Sequence, residues 1–256
     1  MRVTVLMENT SPAGLLHEHG LSLHLSYRGH SVLLDGASSG RFVQNAAALR
    51  VDLAEVELAV LSHGHYDHAD GLGAFLALNP AAPVYARPAV WEPEYFGEGE
   101  GRRYIGVSPA LREEYGARFD LSDGPREILP GLHLVPDAVK SEQSLVAETP
   151  GGLVVMNSCC HAGAGCIVKD LLARFPGQKV LALLGGFHLM GSGGTATLGV
   201  EPGIVKNLAR WLTDELGVEQ VYTGHCTGAP AFALLQAQRP ERIHPLRTGD
   251  VLDFPD

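Results

Sequence analysis

Three histidines and two aspartates are packed into residues 62–71 of the chain. The chemically informative residues of this segment are, in order, His63, Gly64, His65, Asp67, His68, Asp70 and Gly71. The apolar residues 58–61 precede them and predict a buried strand. Imidazole nitrogens beside carboxylates, placed where a strand ends, are ligands that bind first-row transition metals. The segment therefore predicts a metal site.

The spacing within this segment indicates how its side chains divide. Residues two apart share a face in extended chain, so His63 and His65 can approach one ion. In a helix the same two residues would lie about 200° apart, at about 100° per residue, and could not converge. Asp67 and His68 are adjacent and point in different directions, which suits a second ion.

Three more histidines follow predicted strands later in the chain. His161 comes after the strand predicted at 153–157, His188 after 179–184 and His225 after 219–223. Each is surrounded by small residues that allow close approach of the backbone. Four strand ends that carry such side chains favour one shared pocket.

The remaining patterns predict a mixed α/β chain with helices outside its sheets. Further strands are predicted at 3–7, 21–27, 31–35, 83–86, 117–121, 132–135, 144–149 and 250–253. Helices are predicted at 42–49, 72–78, 164–174, 203–216 and 229–237. Fixed-period repeats are absent from the sequence, and its length allows one large domain or two small ones. We predict one domain over residues 1–256.

Composition restricts the classes of partner. The chain has 256 residues, 45% of them hydrophobic, and a formal charge of -10, which disfavours binding to nucleic acid. Its apolar runs are shorter than the roughly 20 residues of a membrane span, and its start does not resemble a signal peptide. We therefore expect a cytoplasmic protein that acts on a small molecule, with or without a phosphate group, and has no nucleic-acid or membrane partners. The composition permits a homodimer.

The four cysteines show neither a disulfide framework nor a zinc-ribbon spacing. Three of them, Cys159, Cys160 and Cys166, are interpreted as small apolar residues packed near the histidines. Cys226 directly follows His225 and is the cysteine placed to meet a metal.

Residues 88–116 are rich in glycine, proline and charged residues and predict an insertion or lid over a site, although an ordinary surface excursion fits nearly as well. Within them, Arg102, Arg103 and Tyr104 could bind a phosphate or another anion. A solvated charged turn is the alternative for these three residues. His19, just before a predicted strand, could also approach the site.

The pattern His63-X-His65-X-Asp67-His68, with His161 and His225 downstream, resembles the metallo-β-lactamase superfamily. The flanking segments 18–22, 142–145, 160–163, 185–189 and 223–228 are most similar to its branch of dihydropterin-type synthases of the methanopterin pathway and related metal-dependent hydrolases. The resemblance implies a four-layer αββα sandwich with the site at one edge.

The resemblance also implies two divalent metal ions. His63, His65 and His161 would hold one ion, and Asp67, His68 and His225 would hold the other. Zinc suits the histidines, whereas mixed nitrogen and oxygen ligation also suits manganese or iron.

Three roles are assigned around these ligands. Asp67 would orient the attacking water as well as bind metal. His188 stands where many superfamily members have a bridging aspartate, and it is either a ligand or the acid that protonates the leaving group. Asp35 either holds a ligand histidine from behind or serves a capping or turn role.

The leading functional prediction is a metal-dependent hydrolase of a small phosphate- or ester-bearing substrate. The first alternative is a transferase that joins a dihydropterin diphosphate to an aromatic amine. The second is a mononuclear or dinuclear iron protein with a redox or sensing role.

Overall fold

The structure, a computed structural model, describes residues 1–12, 14–137 and 141–255. Its internal contacts divide the chain into two compact units. The first unit comprises residues 1–124 and 247–254, and the second comprises residues 125–246 with Pro255.

The first unit is built on a seven-stranded mixed sheet. Its strands are β1 (Arg2–Met7), β2 (Ser22–Tyr27), β3 (His30–Leu34), β4 (Leu58–Val60), β5 (Val84–Ala86), β8 (Phe119–Leu121) and β18 (Val251–Asp253), and the short strands β6 (Tyr95–Phe96) and β7 (Arg103–Tyr104) form a separate hairpin. Its helices are α1 (Arg41–Ala48), α2 (Tyr66–Ala69), α3 (Leu72–Leu78) and α4 (Pro109–Tyr115). The sheet order is β18-β1-β2-β3-β4-β5-β8.

Parallel pairing in this sheet determines where the first histidines lie. The β3–β4 and β4–β5 pairs are parallel, so each connection must cross over and carries helices. Phe42 on α1 and Phe75 on α3 are fully buried in the cluster that also contains Leu33 and Ala59 of the sheet. The carboxyl ends of parallel strands meet at one sheet edge, which brings the segments after β3 and β4 together.

The last strand of the chain completes the first sheet beside its first strand. β18 pairs antiparallel with β1, with Arg2 opposite Asp253. The Arg2 guanidinium lies 2.7 Å from the Asp253 carboxylate, and the Met1 amino group donates to the Phe254 carbonyl at 3.0 Å. β1 is otherwise buried along almost its whole length.

A half-buried histidine in this sheet makes stability depend on pH. Nε2 of His24 on β2 lies 2.9 Å from Ser31 Oγ, and burial lowers the pKa of the imidazole to about 4. In the unfolded chain His24 has its ordinary pKa of about 6.5 and is protonated below that pH. In the folded chain it stays neutral until the pH falls to about 4. The free energy of unfolding is therefore highest above pH 6.5, where His24 is neutral in both states. It decreases as the pH falls, by at most about 2 kcal/mol at pH 5.

We expect urea unfolding at pH 7.5 and pH 5 to reveal this loss. His24→Gln keeps a donor for Ser31 but cannot titrate, so its free energy of unfolding should fall less over the same interval. Equal losses in the two proteins would show that His24 does not cause the effect.

The second unit is built on another seven-stranded sheet. Its strands are β9 (Arg126–Leu129), β10 (Leu132–Pro136), β11 (Gln143–Thr149), β12 (Gly152–Met156), β13 (Val180–Gly185), β16 (Gln220–Thr223) and β17 (Ile243–Pro245), and β14 (Met190–Gly191) with β15 (Gly194–Leu198) forms a hairpin. Its helices are α5 (Ala164–Arg174), α6 (Pro202–Arg210) and α7 (Ala229–Gln238).

The parallel half of the second sheet ends at the later histidines. β12, β13, β16 and β17 are parallel neighbours in the order β12-β13-β16-β17, and the helices between them pack apolar residues on the sheet. Val168 of α5, Val205 of α6 and Leu235 of α7 are all fully buried or nearly so in this core. The segments after β12, β13 and β16 therefore leave the sheet at the same edge.

Several predicted boundaries are wrong. The helix predicted over 203–216 ends at Arg210, and Trp211–Glu215 continues it as a π-helix. The sequence reasoning missed the edge strand β17, the strand β9, the hairpin strands β6, β7, β14 and β15, and the helices α2 and α4. β17 is an edge strand that ends in Pro245, so its pattern lacks the alternation of a central strand.

The segment 88–116 is not without structure. It contains the β6–β7 hairpin and α4, joined by short turns of 3-10 helix. Two contacts tie it to residues 65–70: the Tyr66 N–H donates to the Ile105 carbonyl, and the Ser108 N–H donates to Asp70 Oδ1 at 2.8 Å. Its role as a lid stays a prediction. No helix within the described ranges is both long and apolar enough to cross a membrane.

Candidate metal centre

The structure brings His63 and His65 together at the end of β4. His63 Nε2 lies 3.0 Å from His65 Nδ1, and the two rings meet edge to face with centroids 4.6 Å apart. The glycine between them allows close packing, because a Cβ at Gly64 would lie 2.7 Å from the Val90 carbonyl oxygen. Two ring nitrogens this close can share one cation.

Asp67 and His68 lie on the helical turn α2 rather than in extended chain. His68 is fully buried, and its Nε2 lies 3.7 Å from Asp67 Oδ2. His19 also approaches this carboxylate, with Nε2 3.1 Å from Asp67 Oδ2. The prediction that His19 belongs near the site therefore has a specific contact in the first unit.

Asp35 holds His68 from behind. The Asp35 carboxylate is fully buried, accepts hydrogen bonds from the Ser62 N–H and hydroxyl, each at 2.7 Å, and lies 2.8 Å from His68 Nδ1. A carboxylate only accepts, so Nδ1 of His68 carries the proton and Nε2 keeps its lone pair. Asp35 thus contacts both the turn at Ser62 and the His68 ring, and its role behind a metal ligand stays a prediction.

Glu142 performs the corresponding task in the second unit. It is fully buried on the β11 side of the sheet, and its Oε2 lies 3.0 Å from His161 Nδ1. Its oxygens also accept the backbone N–H groups of Cys159 at 2.7 Å and His161 at 2.8 Å. Burial raises the pKa of Glu142, but the bonds from His161 and the two N–H groups outweigh it and hold the pKa below its ordinary value. Nε2 of His161 is therefore the nitrogen that can bind a metal.

Left-handed backbone marks the strand ends of both units. Asp35 and Ala37 have φ of 60° and 58°, and Cys160, His188 and His225 have φ of 49°, 48° and 49°. A residue with a Cβ in this region is strained by about 1–2 kcal/mol. Such strain persists only where the surroundings fix the conformation, and it clusters at functional sites.

Two strand-end histidines of the second unit, His161 and His188, lie close together. The rings of His161 and His188 have centroids 4.6 Å apart, and His188 is exposed. His225 is buried, with 3% of its surface exposed.

Two cysteines join these histidines. Cys159 and Cys226 are buried, and the His188 N–H donates to Cys226 Sγ at 3.3 Å. Burial raises the pKa of the Cys226 thiol, but hydrogen bonding with Cys159 and the charge of His225 hold it well below the ordinary value. The interpretation of Cys166 as a packed apolar residue is wrong, because Cys166 is exposed on α5.

The predicted anion-binding residues separate in the structure. Arg103 and Tyr104 line a cavity of about 480 Å³ in the first unit, together with Tyr66 and Asp70. Arg102 instead stacks on the Tyr95 ring, 3.7 Å from its centroid. Burial raises the pKa of Asp70, although the Ser108 N–H opposes this shift.

The donor atoms fit a transition metal within each unit. His68 and His161 each present Nε2 while a buried carboxylate holds Nδ1, which is the arrangement that orients metal-bound histidines. His63 Nδ1 is similarly held by the Ser62 hydroxyl at 2.9 Å. The sequence reasoning from residues alone missed Glu142. It lies two residues before a buried serine, and no local sequence pattern identifies it as a partner of a histidine.

Known proteins similar to this chain share one fold. The family model of the metallo-beta-lactamase superfamily matches residues 23–175. The 7,8-dihydropterin-6-methyl-4-(beta-D-ribofuranosyl)-aminobenzene-5'-phosphate synthase of Methanocaldococcus jannaschii is 26% identical, with 93% of this chain and 90% of that protein covered.

Solved structures agree with the family match. The crystal structure of a metal-dependent hydrolase of the β-lactamase superfamily is 28% identical, covers 100% of both chains and has a TM-score of 0.81. A diphosphatase of the PhnP family shares the fold at 16% identity, with a TM-score of 0.59. The predicted α/β fold class is thereby confirmed. The chain belongs to the metallo-β-lactamase superfamily.

Proposed function

We propose that the chain is a metal-dependent hydrolase acting on a small phosphate- or ester-bearing substrate. The observation that carries the proposal is the pairing of buried carboxylates with ligand-type histidines, Asp35 with His68 and Glu142 with His161. A buried carboxylate beside a histidine fixes which ring nitrogen can bind a metal. Apolar residues at the same positions would stabilise the fold at least as well, so stability alone does not explain these pairs.

The ligand set remains the one that the sequence predicts. We propose His63, His65 and His161 for one ion and Asp67, His68 and His225 for the other, with zinc as the metal and manganese or iron as alternatives. Divalent ions held there would supply Lewis acidity and a nucleophilic water near neutral pH.

The proton-transfer roles belong to Asp67 and His188. Asp67 is nearly buried and lies 3.1 Å from His19 Nε2, and we propose that its carboxylate orients a water and receives its proton. His188 is exposed, which lets its ring exchange protons with solvent and donate one to a leaving group. The cytoplasm is the location we propose, and the four free cysteines fit a reducing compartment.

Arg103 is the residue we propose to recognise an anionic substrate group. Arg103 lines the same cavity as Tyr66. Burial raises the pKa of the Tyr66 hydroxyl, and the positive charge of Arg103 acts against that rise. An exposed charge-assisted contact contributes about 1.5 kcal/mol, or about tenfold in affinity. Arg103→Gln should therefore raise KM for a phosphorylated substrate about tenfold with little change in kcat.

Arg102→Gln is the matched control for that measurement. Its guanidinium stacks on Tyr95 and does not line the cavity, so its KM should stay near the wild-type value. Equal effects of the two variants would contradict a specific role for Arg103.

The hydrolase proposal is tested with metal-depleted protein reloaded separately with Zn²⁺, Mn²⁺ and Fe²⁺. Hydrolysis of p-nitrophenyl phosphate, bis-p-nitrophenyl phosphate and p-nitrophenyl esters should appear only after reloading. Failure of every metal form on all three substrate classes would contradict the proposal.

A transferase is the second candidate, because the methanopterin-pathway synthase covers nearly the whole chain at 26% identity. The same reloaded protein is given a dihydropterin diphosphate and an aromatic amine phosphate. Formation of a carbon–nitrogen product, detected by mass spectrometry, would favour the transferase over the hydrolase.

A further inference from the structure

Two cysteines and a histidine of the second unit form a compact group of potential ligands. The Sγ atoms of Cys159 and Cys226 and a ring nitrogen of His225 all lie within 4.8 Å of one another. The three residues are 2%, 1% and 3% exposed. Cys159 Sγ also lies within 4.8 Å of ligand atoms of Glu142 and His161.

The dimensions of this group suit one tetrahedral ion. Two sulfurs bound at about 2.3 Å to such an ion lie about 3.8 Å apart. The two Sγ atoms here lie within 4.8 Å of each other, which is compatible with that spacing. A shift of about 1 Å or less would bring the sulfurs to that spacing, and the three side chains would fill three of the four positions. Soft thiolates beside an imidazole are the ligands that zinc, cobalt and cadmium prefer.

The surroundings of Cys226 are adapted to a sulfur atom with negative charge. The His188 N–H points at Cys226 Sγ from 3.3 Å, and such donors stabilise a thiolate bound to metal. A Cβ at Gly186 would lie 2.4 Å from the same sulfur, so the glycine preserves the space that Sγ occupies. His188 adopts left-handed backbone, with φ of 48°, in the position that presents this N–H.

The negative charges of two thiolates would neutralise the charge of a divalent ion bound in this unit. His161 and His225, the ligands proposed from this unit, would bind metal as neutral rings. The nearby Glu142 carboxylate is already engaged by the Cys159 and His161 N–H groups and the His161 ring, so a buried divalent ion held by neutral rings alone would be poorly compensated. Two thiolates would supply two negative charges, and each thiol would release its proton to solvent on binding.

We propose that Cys159 and Cys226, together with His225, bind a transition metal ion through their sulfur and nitrogen atoms. This inference rests on the metal-binding part of the proposed function, and it adds sulfur to a ligand set that was described by nitrogen and oxygen alone.

The test uses the full-length protein, reduced, stripped of metal with a chelator and reloaded with Co²⁺. Thiolate ligands produce an intense charge-transfer absorption in the near ultraviolet, which nitrogen and oxygen ligands do not. We expect this band in the wild type, about half of it in Cys159→Ser and in Cys226→Ser, and none in the double variant. Cys166→Ser is the matched control, because this exposed cysteine lies in the same unit and should leave the band unchanged.

A second measurement avoids substitutions altogether. X-ray absorption of the zinc-loaded wild type should show sulfur neighbours at about 2.3 Å besides nitrogen at about 2.0–2.1 Å. This result remains decisive if a serine variant fails to fold.

The outcomes separate the inference from the proposed function. Cobalt that binds without the charge-transfer band, or a Cys159–Cys226 disulfide found by thiol titration of the unreduced protein, would overturn the inference and leave the hydrolase proposal standing. Protein that binds none of cobalt, zinc, manganese and iron would overturn both.

Discussion

Replacing His63 by alanine should remove the metal ion of the first proposed site and reduce hydrolytic activity about 10³-fold. His63 is 4% exposed, and its Nε2 faces His65 Nδ1 across 3.0 Å, so its loss leaves a single imidazole where two converge. A metal ion contributes several kcal/mol to transition-state stabilisation, and 10³-fold corresponds to about 4 kcal/mol. Metal content per chain, measured by mass spectrometry after dialysis, should fall together with kcat.

His30→Ala is the control for this experiment. His30 lies in the same unit but pairs with Glu57 at the surface, 2.9 Å away, so metal content and activity should both be retained. A His63→Ala protein that kept its metal and its activity would show that the segment 62–71 does not bind the catalytic ion.

Replacing Glu142 by glutamine should weaken metal binding about 10–100-fold without touching a proposed ligand. Both carboxylate oxygens accept backbone N–H groups, and one also holds His161 Nδ1. The amide of glutamine must turn an NH₂ group toward one of these donors, which leaves a buried donor unmatched. We expect a loss of about 3 kcal/mol in the free energy of unfolding as well.

Glu148→Gln provides the matched comparison for Glu142→Gln. Glu148 also pairs with a histidine of the same unit, His133, at 2.7 Å, but its carboxylate is partly exposed. Zinc affinity, measured by competition with a chromophoric chelator, should therefore change little in this variant. Equal affinities in the two variants would contradict the orienting role of Glu142.

The local part of the candidate centre could be predicted from sequence because extended chain places alternate residues on one face. His63 and His65 are close for that reason, and the three later histidines lie at the strand ends where they were predicted. Asp67 and His68 were harder, since a four-residue helical turn is too short to leave a periodic pattern.

The residues that hold the histidines could not be predicted in the same way. Glu142 precedes His161 by 19 positions and meets it only because β11 and β12 are neighbours in a sheet. Asp35 and His68 are separated by 33 positions and meet because β3 and β4 run parallel. Long-range pairing of this kind depends on topology, which local patterns do not encode.

The fold was predicted best where hydrophobic periodicity is strong. The helix at 164–174 has the predicted bounds, as does the helix at 72–78. The short α4 was missed although Ser108 and Pro109 form a recognisable helix start, because the surrounding glycines and charges dominated the interpretation of that segment.

The pairing of β18 with β1 has a consequence for synthesis on the ribosome. The strand that covers the edge of β1 comes from residues 251–253, and residues 125–246 of the second unit are translated before it. Until those residues emerge, the nascent chain presents β1 as an open, apolar sheet edge, the kind of surface that pairs with other chains. Translation that stops shortly before residue 251 would therefore release a chain that is complete at its strand-end histidines yet prone to aggregate through its first strand.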